Sequence, residues 1–443
     1  MAHQADVNSP FPSCDAYFET IQSRKKLPSS LQESLTSAFA QIPVSSFPEV
    51  PGGKVIEIPA NLSVIDAVHI LAEHNILAAP VRNPEASSNS DWRERYLGII
   101  DYSAIILWVL EHAELAAVAL SVGSATAAGV GAGAVSALGA VVAGATGPAA
   151  VAGLTAVAAG AALVGGVATE KSVGKDAPTA ADHLGEDFYK LLLQEEPFKS
   201  TTVKSIVESY RWSPFLPVAP TSSMLTALLL LSKYGLKNVP VVEVGKPNIK
   251  NFITQSAVIQ GLRQCKGRDW FDCIAALPIS DLGLPFMSRS EVISIKGDEL
   301  ILEAFKRMRD NRIGGLPVIE GPNRKIVGSI SIRDIRFLLL RPEIFSSFRH
   351  LTVMDFIKAK FSVSLVSGNT LASPVTCAPD ACLESVMESL ASRCTHRIYV
   401  VEGDDCEVVG IVTLRDIISC FIYEPTGYFD NYFGVAVKEM LKQ

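Results

Sequence analysis

Apolar residues at 301, 304, 305 and 308 recur at the spacing of one helix face, and the run that follows, GGLPVI, is short and apolar like a strand. With Pro317 as origin, the helical run opens 19 residues earlier at Asp298 and carries Ile301, Ala304, Phe305 and Met308 as its apolar stripe. The same ruler laid at Tyr399 returns Asp380, then Leu383, Val386, Met387 and Leu390. At Pro240 it returns Thr221, then Met224, Ala227, Leu228 and Leu231, and at Pro80 it returns Asn61, then Val64, Ala67, Val68 and Leu71. Four matches predict four equivalent units. Asn61, Thr221, Asp298 and Asp380 are residue types that accept a hydrogen bond from the open first turn of a helix, so each is expected as an N-cap.

Strand-like runs follow each helix: ILAAPV, LKNVPVV, GGLPVI and RIYVV. Fourteen residues past the origin stand Thr254, Ser331 and Thr413, each after a second strand, and a second helix is expected to start there. In the first copy Asp101 takes this place, after a loop seven residues longer. The unit is therefore helix, strand, strand, helix, usually led by a short strand such as VIEI or VISI. Alone it buries too little apolar surface, so the copies should pack in pairs. The expected fold class is α/β in the broad sense (α+β), built of four repeats as two tandem pairs. The repeats are placed at 43–114, 201–265, 266–341 and 342–425, with a flexible tail at 1–42, a linker with a helical segment at 170–200 and a C-terminal tail at 426–443.

The origins are spaced by 160, 77 and 82 residues, and the excess in the first interval falls on residues 115–169. No Asp, Glu, Lys or Arg occurs in those 55 residues, and 32 are Ala or Gly. About 20 strongly apolar residues would span a bilayer core, but Leu is sparse, Ile and Phe are missing and 11 Gly weaken helix formation. A mobile insertion is the leading expectation, ahead of a membrane-adhering or self-associating segment and of a true span. Gly129, Gly131 and Gly133 lack the preceding strand and later acid of a dinucleotide loop.

A net charge of -7 without a long basic block argues against nucleic acid as partner. The eight cysteines form no C-x-x-C and point to idle thiols in a reducing compartment. The N-terminal MAHQADVNSPFPSC is unlike a secretory signal, and a cytoplasmic, also nuclear, location is expected. No G-x-S-x-G, Walker lysine loop or H-E-x-x-H is present, and a catalytic role is not expected.

Ser331-Ile-Arg-Asp334 and Thr413-Leu-Arg-Asp416 each place a hydroxyl three residues before a carboxylate, at the junction of strand and helix. Two readings fit. One is a capping box, in which hydroxyl and acid satisfy each other's backbone N–H. The other is a ligand site, since a helix start suits phosphate and an acid beside it can accept both hydroxyls of a ribose. Arg312, His396 and Arg397, just ahead of the facing strands, would supply cations. The second copy has Ala257, and the loop-corrected first copy Ala104, where the later copies have Asp.

Four such units resemble cystathionine-β-synthase (CBS) domains. More narrowly, LPSSLQESLTSAFAQIPVSSFPEVPGGKV, DWRERYLGIIDYSAIILWVLEHAELAA, GKDAPTAADHLGEDFY, QEEPFKSTTV, CKGRDWFDCIAA and ILEAFKRMRDNRIGGLPV resemble the plant-type gamma regulatory subunits of the AMP-activated and sucrose-non-fermenting-related protein kinases. The resemblance covers nearly the whole chain. It implies two CBS pairs set head to head as a pseudo-symmetric disc, AMP, ADP or ATP as regulatory ligands with no required cofactor, and a catalytic alpha kinase and a beta scaffold as partners. It further implies ribose-binding roles for Asp334 and Asp416, adjoining hydroxyls at Ser331 and Thr413 with Thr254 in the equivalent place, and phosphate-side cations at Arg312, His396 and Arg397. Lys237-Asn238 stands in the second copy where the animal family has His-Arg, and Leu77 replaces a basic residue in the first. A membrane-associated transporter regulator and a scaffold with empty clefts are the alternatives.

Overall fold

A computed structural model of the chain describes residues 12–111 and 200–429, apart from 88–89, 211–213, 244, 342–343, 345–349 and 367–372. The expected insertion at 115–169, nearly all of the linker at 170–200 and most of the C-terminal tail lie outside the described residues.

All four predicted units are present. Repeat 1 runs through β1 (Ile58–Pro59), helix Val64–Glu73, the hairpin of β2 (Ala78–Arg82) and β3 (Tyr96–Asp101), and a helix from residue 102. Repeat 2 has helix Met224–Ser232, β4 (Asn238–Val242), β5 (Ile249–Thr254) and helix Gln255–Arg263, and a bridge from Val218 to Val241 replaces its leading strand. Repeat 3 has β6 (Ile295–Lys296), helix Ile301–Asp310, β7 (Gly315–Glu320), β8 (Lys325–Ser331) and a tight turn Ile332–Asp334 that opens helix Ile335–Leu339. Repeat 4 has β9 (Thr376–Cys377), helix Leu383–Ser392, β10 (Arg397–Glu402), β11 (Glu407–Thr413) and helix Leu414–Phe421.

In repeats 1, 3 and 4 the apolar stripes read from the sequence are the buried faces: Val64, Ala67, Val68 and Leu71; Ile301, Ala304, Phe305 and Met308; Leu383, Val386, Met387 and Leu390. In repeat 2 the helix is buried on nearly every side, Leu225, Leu229 and Leu230 included, and Met224 of the predicted stripe is only partly buried. The caps differ from expectation. Each helix starts two residues later than the ruler placed it, and Ser63 and Ser223 accept the N–H bonds from Asp66 and Thr226. Leu300 and Cys382 hold the same place in repeats 3 and 4 without a side-chain cap. Asn61, Thr221, Asp298 and Asp380 sit instead in the turn before it. The physical reason is that the residue next to the helix is tied up in a bridge between repeats: Ser63 with Thr202, Ser223 with Pro43, Leu300 with Thr352, and Cys382 with Pro278.

Those bridges also define the pairs. Repeat 1 is tied to the lead-in of repeat 2 and repeat 2 to that of repeat 1; repeats 3 and 4 exchange in the same way. Repeats 3 and 4 further share one six-stranded sheet, joined where Lys325 of β8 meets Glu407 of β11. Across the pairs, the helix faces of repeats 1 and 3 form one core and those of repeats 2 and 4 another. The four units thus close into a ring.

Residues 12–41, expected as part of a flexible tail, form two helices, α1 (Pro12–Arg24) and α2 (Ser29–Gln41). Phe18, Ile21, Leu35 and Phe39 are buried in the core of repeats 2 and 4. Burying each such side chain contributes roughly 1.5–3 kcal/mol, enough to order a segment outside the repeats.

Candidate functional site

One hairpin register, kept in all four repeats, brings the candidate residues together. The first residue of the hairpin's first strand pairs with the residue that caps the second helix: Ala78 with Asp101, Asn238 with Thr254, Gly315 with Ser331, and Arg397 with Thr413. Whatever stands just before the strand therefore lies beside a helix start. Gly314-Gly315 and His396-Arg397 are equivalent pairs, 82 residues apart.

Both capping boxes form. Asp334 Oδ2 accepts from Ser331 N at 2.8 Å and Ser331 Oγ at 3.2 Å; Asp416 Oδ2 accepts from Thr413 N at 2.8 Å and Thr413 Oγ1 at 2.7 Å. Thr254 Oγ1 accepts from Ala257 N at 3.1 Å and Asp101 Oδ1 from Ala104 N at 2.9 Å, so all four helices are capped. Each late aspartate thereby commits one oxygen to the backbone and turns the other outward. Asp334 Oδ1 meets Lys360 Nζ at 3.1 Å, and Asp416 Oδ1 accepts from the Tyr17 hydroxyl at 3.4 Å. Desolvation raises the Asp416 carboxyl above the usual range, against the lowering effect of its bonds to Thr413.

Cations converge between the repeats. Lys237 Nζ pairs with Asp101 Oδ2 at 2.8 Å across repeats 1 and 2. Arg333 donates to Asn75 Oδ1 across repeats 3 and 1, and its Nε is buried without a partner among the described residues. Arg397 lies along Gly314 and Gly315, where any Cβ would strike its guanidinium. Arg312 is exposed at a left-handed turn (φ 53°) after its helix, in the place held by Asn75, Gly235 and Cys394 in the other repeats. It lines, with Ser103, Lys237 and Arg309, a crevice of about 40 Å³. That is room for about one water molecule, so a larger anion needs the long side chains to swing outward.

His396, expected as a cation, is neutral here. Burial, then the charges of Arg397, Arg333 and Lys237, lower its pKa from 6.5 to about 3, and its Nε2 lies 3.2 Å from Ser256 Oγ at the start of the facing helix in repeat 2. The folded state resists a proton that the unfolded chain accepts near 6.5. The stability this confers is fully present above that pH and is lost as pH falls towards about 3, at up to about 1.4 kcal/mol per pH unit. Urea denaturation of wild type and His396→Asn between pH 4 and 7 should show a shallower slope in the variant, and parallel curves would contradict the neutral assignment.

Lys237, Arg333, Tyr17 and Lys360 complete the site although none is among the expected site residues. The first two were reachable by register, because Lys237 matches His396 and Arg333 matches Arg415. The others come from outside the repeated unit.

Four such units, with cations set between their capped helix starts, have the organisation of the CBS class, and the CBS domain family profile matches residues 279–341 and 371–423. The SNF1-related protein kinase regulatory subunit gamma-1-like of Arabidopsis thaliana is 65% identical over 439 residues, 99% of this chain and 98% of that one. The Arabidopsis SNF1-related protein kinase regulatory subunit gamma-1 is 35% identical over 443 residues, 98% and 94% of the two chains. The solved structure of a Methanocaldococcus jannaschii protein overlaps 84% of this chain and all of its own at 15% identity and a TM-score of 0.49. The chain belongs to the SNF1-related protein kinase regulatory gamma subunit family. Its role is accordingly regulatory and not catalytic.

Proposed function

We propose that the chain is the gamma-type subunit of a heterotrimeric Ser/Thr protein kinase of energy and carbon signalling, held with a catalytic alpha and a scaffold beta chain in the cytoplasm and nucleus, and that its clefts take AMP, ADP or ATP. The observation that carries the ligand reading is the gathering of Lys237, Arg333 and Arg397 from three repeats around capped helix starts. Interior cations and open helix N–H groups favour a bound anion, and the outward oxygens of Asp416 and Asp334 stand where they would accept hydrogen bonds from the hydroxyls of a ribose diol. The kinase partnership rests on the near full-length likeness to the Arabidopsis gamma subunits.

Such a ligand regulates only through a difference in affinity between conformations of the complex. Calorimetric titration of the purified chain with AMP, ADP and ATP should give saturable heats, weakened by Asp334→Ala/Asp416→Ala. Each lost charge-assisted hydrogen bond is worth about 1.5–3 kcal/mol, roughly 10- to 150-fold in affinity. An unchanged isotherm in the double variant would remove these residues from the site, and affinity purification from native tissue tests the kinase partners.

A further inference from the structure

We propose that α1 is an intramolecular lid on the Asp416 cleft, with Tyr17 standing where the sugar of a nucleotide would bind. The proposal rests on the nucleotide reading above and says which cleft is gated and by what. Tyr17 makes two contacts there: its hydroxyl reaches Asp416 Oδ1 at 3.4 Å, and its ring lies under the Arg415 guanidinium, 3.8 Å from ring centroid to carbon. A hydroxyl on a buried carboxylate and a flat ring against a guanidinium are what the ribose and base of a nucleoside offer. Arg415 is held in position for either occupant, because it also donates to the backbone carbonyls of Ser232 and Lys233.

The hold of the lid on the cleft itself is weak. The hydroxyl–carboxylate distance is well beyond the 2.7–2.8 Å optimum, so that bond is weak. Outside the cleft, α1 is tied by Asp15 to Lys233, by Arg24 to the exposed Glu291 and to the backbone carbonyl of Phe286, by Gln22 to that of Ile422 and by the burial of Phe18 and Ile21. Residues 25–28 separate it from α2, which stays anchored through Leu35 and Phe39. A free helix of 13 residues is marginal in water, so α1 would unwind once released. The equivalent Asp334 has no such cover: Lys360 belongs to helix Val353–Val366, whose Val353 and Phe356 are core residues, and it cannot withdraw without opening that core.

The test is calorimetry of AMP with the full chain in wild type, Tyr17→Phe, Tyr17→Ala and Tyr17→Ala/Asp416→Ala. If Tyr17 itself blocks the cleft in about four molecules of five, its removal raises apparent affinity about fivefold. Tyr17→Ala should therefore bind at least about fivefold tighter than wild type, Tyr17→Phe should fall between, and Asp416→Ala should cancel the gain. Hydrogen exchange on the wild-type chain reads the same event without mutation: AMP should accelerate exchange in residues 14–24, and it carries the test if Tyr17→Ala does not fold. AMP binding equally well to wild type and both Tyr17 variants, or slowing exchange in α1, would overturn the lid and leave the nucleotide reading standing. No binding by any variant, with no change in exchange, would overturn both.

Discussion

Gly315→Ala should displace Arg397 and cost about 1–3 kcal/mol of stability or more, the range for an overpacked interior. A Cβ at this position would sit 1.3 Å from Arg397 Nη1 and 2.6 Å from the carbonyl oxygen of Ile330. The first clash is with the end of a long side chain and is relieved by moving the guanidinium. The second is with the backbone of β8, which is paired with β7 through the Gly315–Ser331 register and cannot retreat without breaking that ladder. Gly314 adds to the constraint, since its Cβ would stand 2.8 Å from Arg397 Nη2. The glycine pair therefore exists for close approach: repeat 3 gives up side chains where repeat 4 supplies His396-Arg397, and one guanidinium fills the space. Urea denaturation of Gly315→Ala and of Gly315→Ala/Arg397→Ala checks this. The double variant should recover only the part due to the guanidinium, and a single variant as stable as wild type would mean that Arg397 does not lie across the glycines.

What the sequence made legible follows from what repetition can carry. Local order was readable because each unit states it four times: the stripe at 301, 304, 305 and 308 is buried as spaced, and Ser331 and Thr413 cap their helices with Asp334 and Asp416 as the acid partners. The helix starts at Val64 and Met224 were misplaced because Asn61 and Thr221 have capping chemistry, while the serines two residues on do the capping. Propensity does not reveal that the intervening turn is bound to a neighbouring repeat. Contacts made by elements outside the unit left no periodic trace. Tyr17 and Asp416 are 399 positions apart, and α1 has no second copy against which to be recognised. Nor does residue type fix charge: His396 reads as a cation in a motif, and burial, together with the surrounding Arg397, Arg333 and Lys237, makes it a neutral hydrogen-bond partner.

Lys360→Met should destabilise the chain by about 3 kcal/mol, near the low end for removing one partner of a buried ion pair. Lys360 and Asp334 are 9% and 6% exposed, and the Nζ–Oδ1 distance is 3.1 Å. Methionine keeps the stem and its packing but strips the carboxylate of its counter-charge in a place with little water. The loss stays near the low end because Ser331 still donates two hydrogen bonds to Oδ2. Taking both charges away is a different experiment. Asp334→Asn/Lys360→Met leaves no unpaired charge and lets an amide oxygen continue the cap, so its cost should be well below the sum of the single variants, with a coupling of about 1–3 kcal/mol. Urea denaturation of the four proteins at pH 7 closes the cycle; additive losses would mean that the pair is not formed in solution. The comparison bears on function as well as stability, because the two aspartates are equivalent by register and differ only in what meets the outward oxygen. A lysine from a core helix holds the outward oxygen of Asp334 more firmly, whereas a tyrosine on a terminal helix leaves Asp416 freer to exchange its partner. A stability cost concentrated at Lys360 and a much smaller one at Tyr17 is the pattern that this division of roles requires.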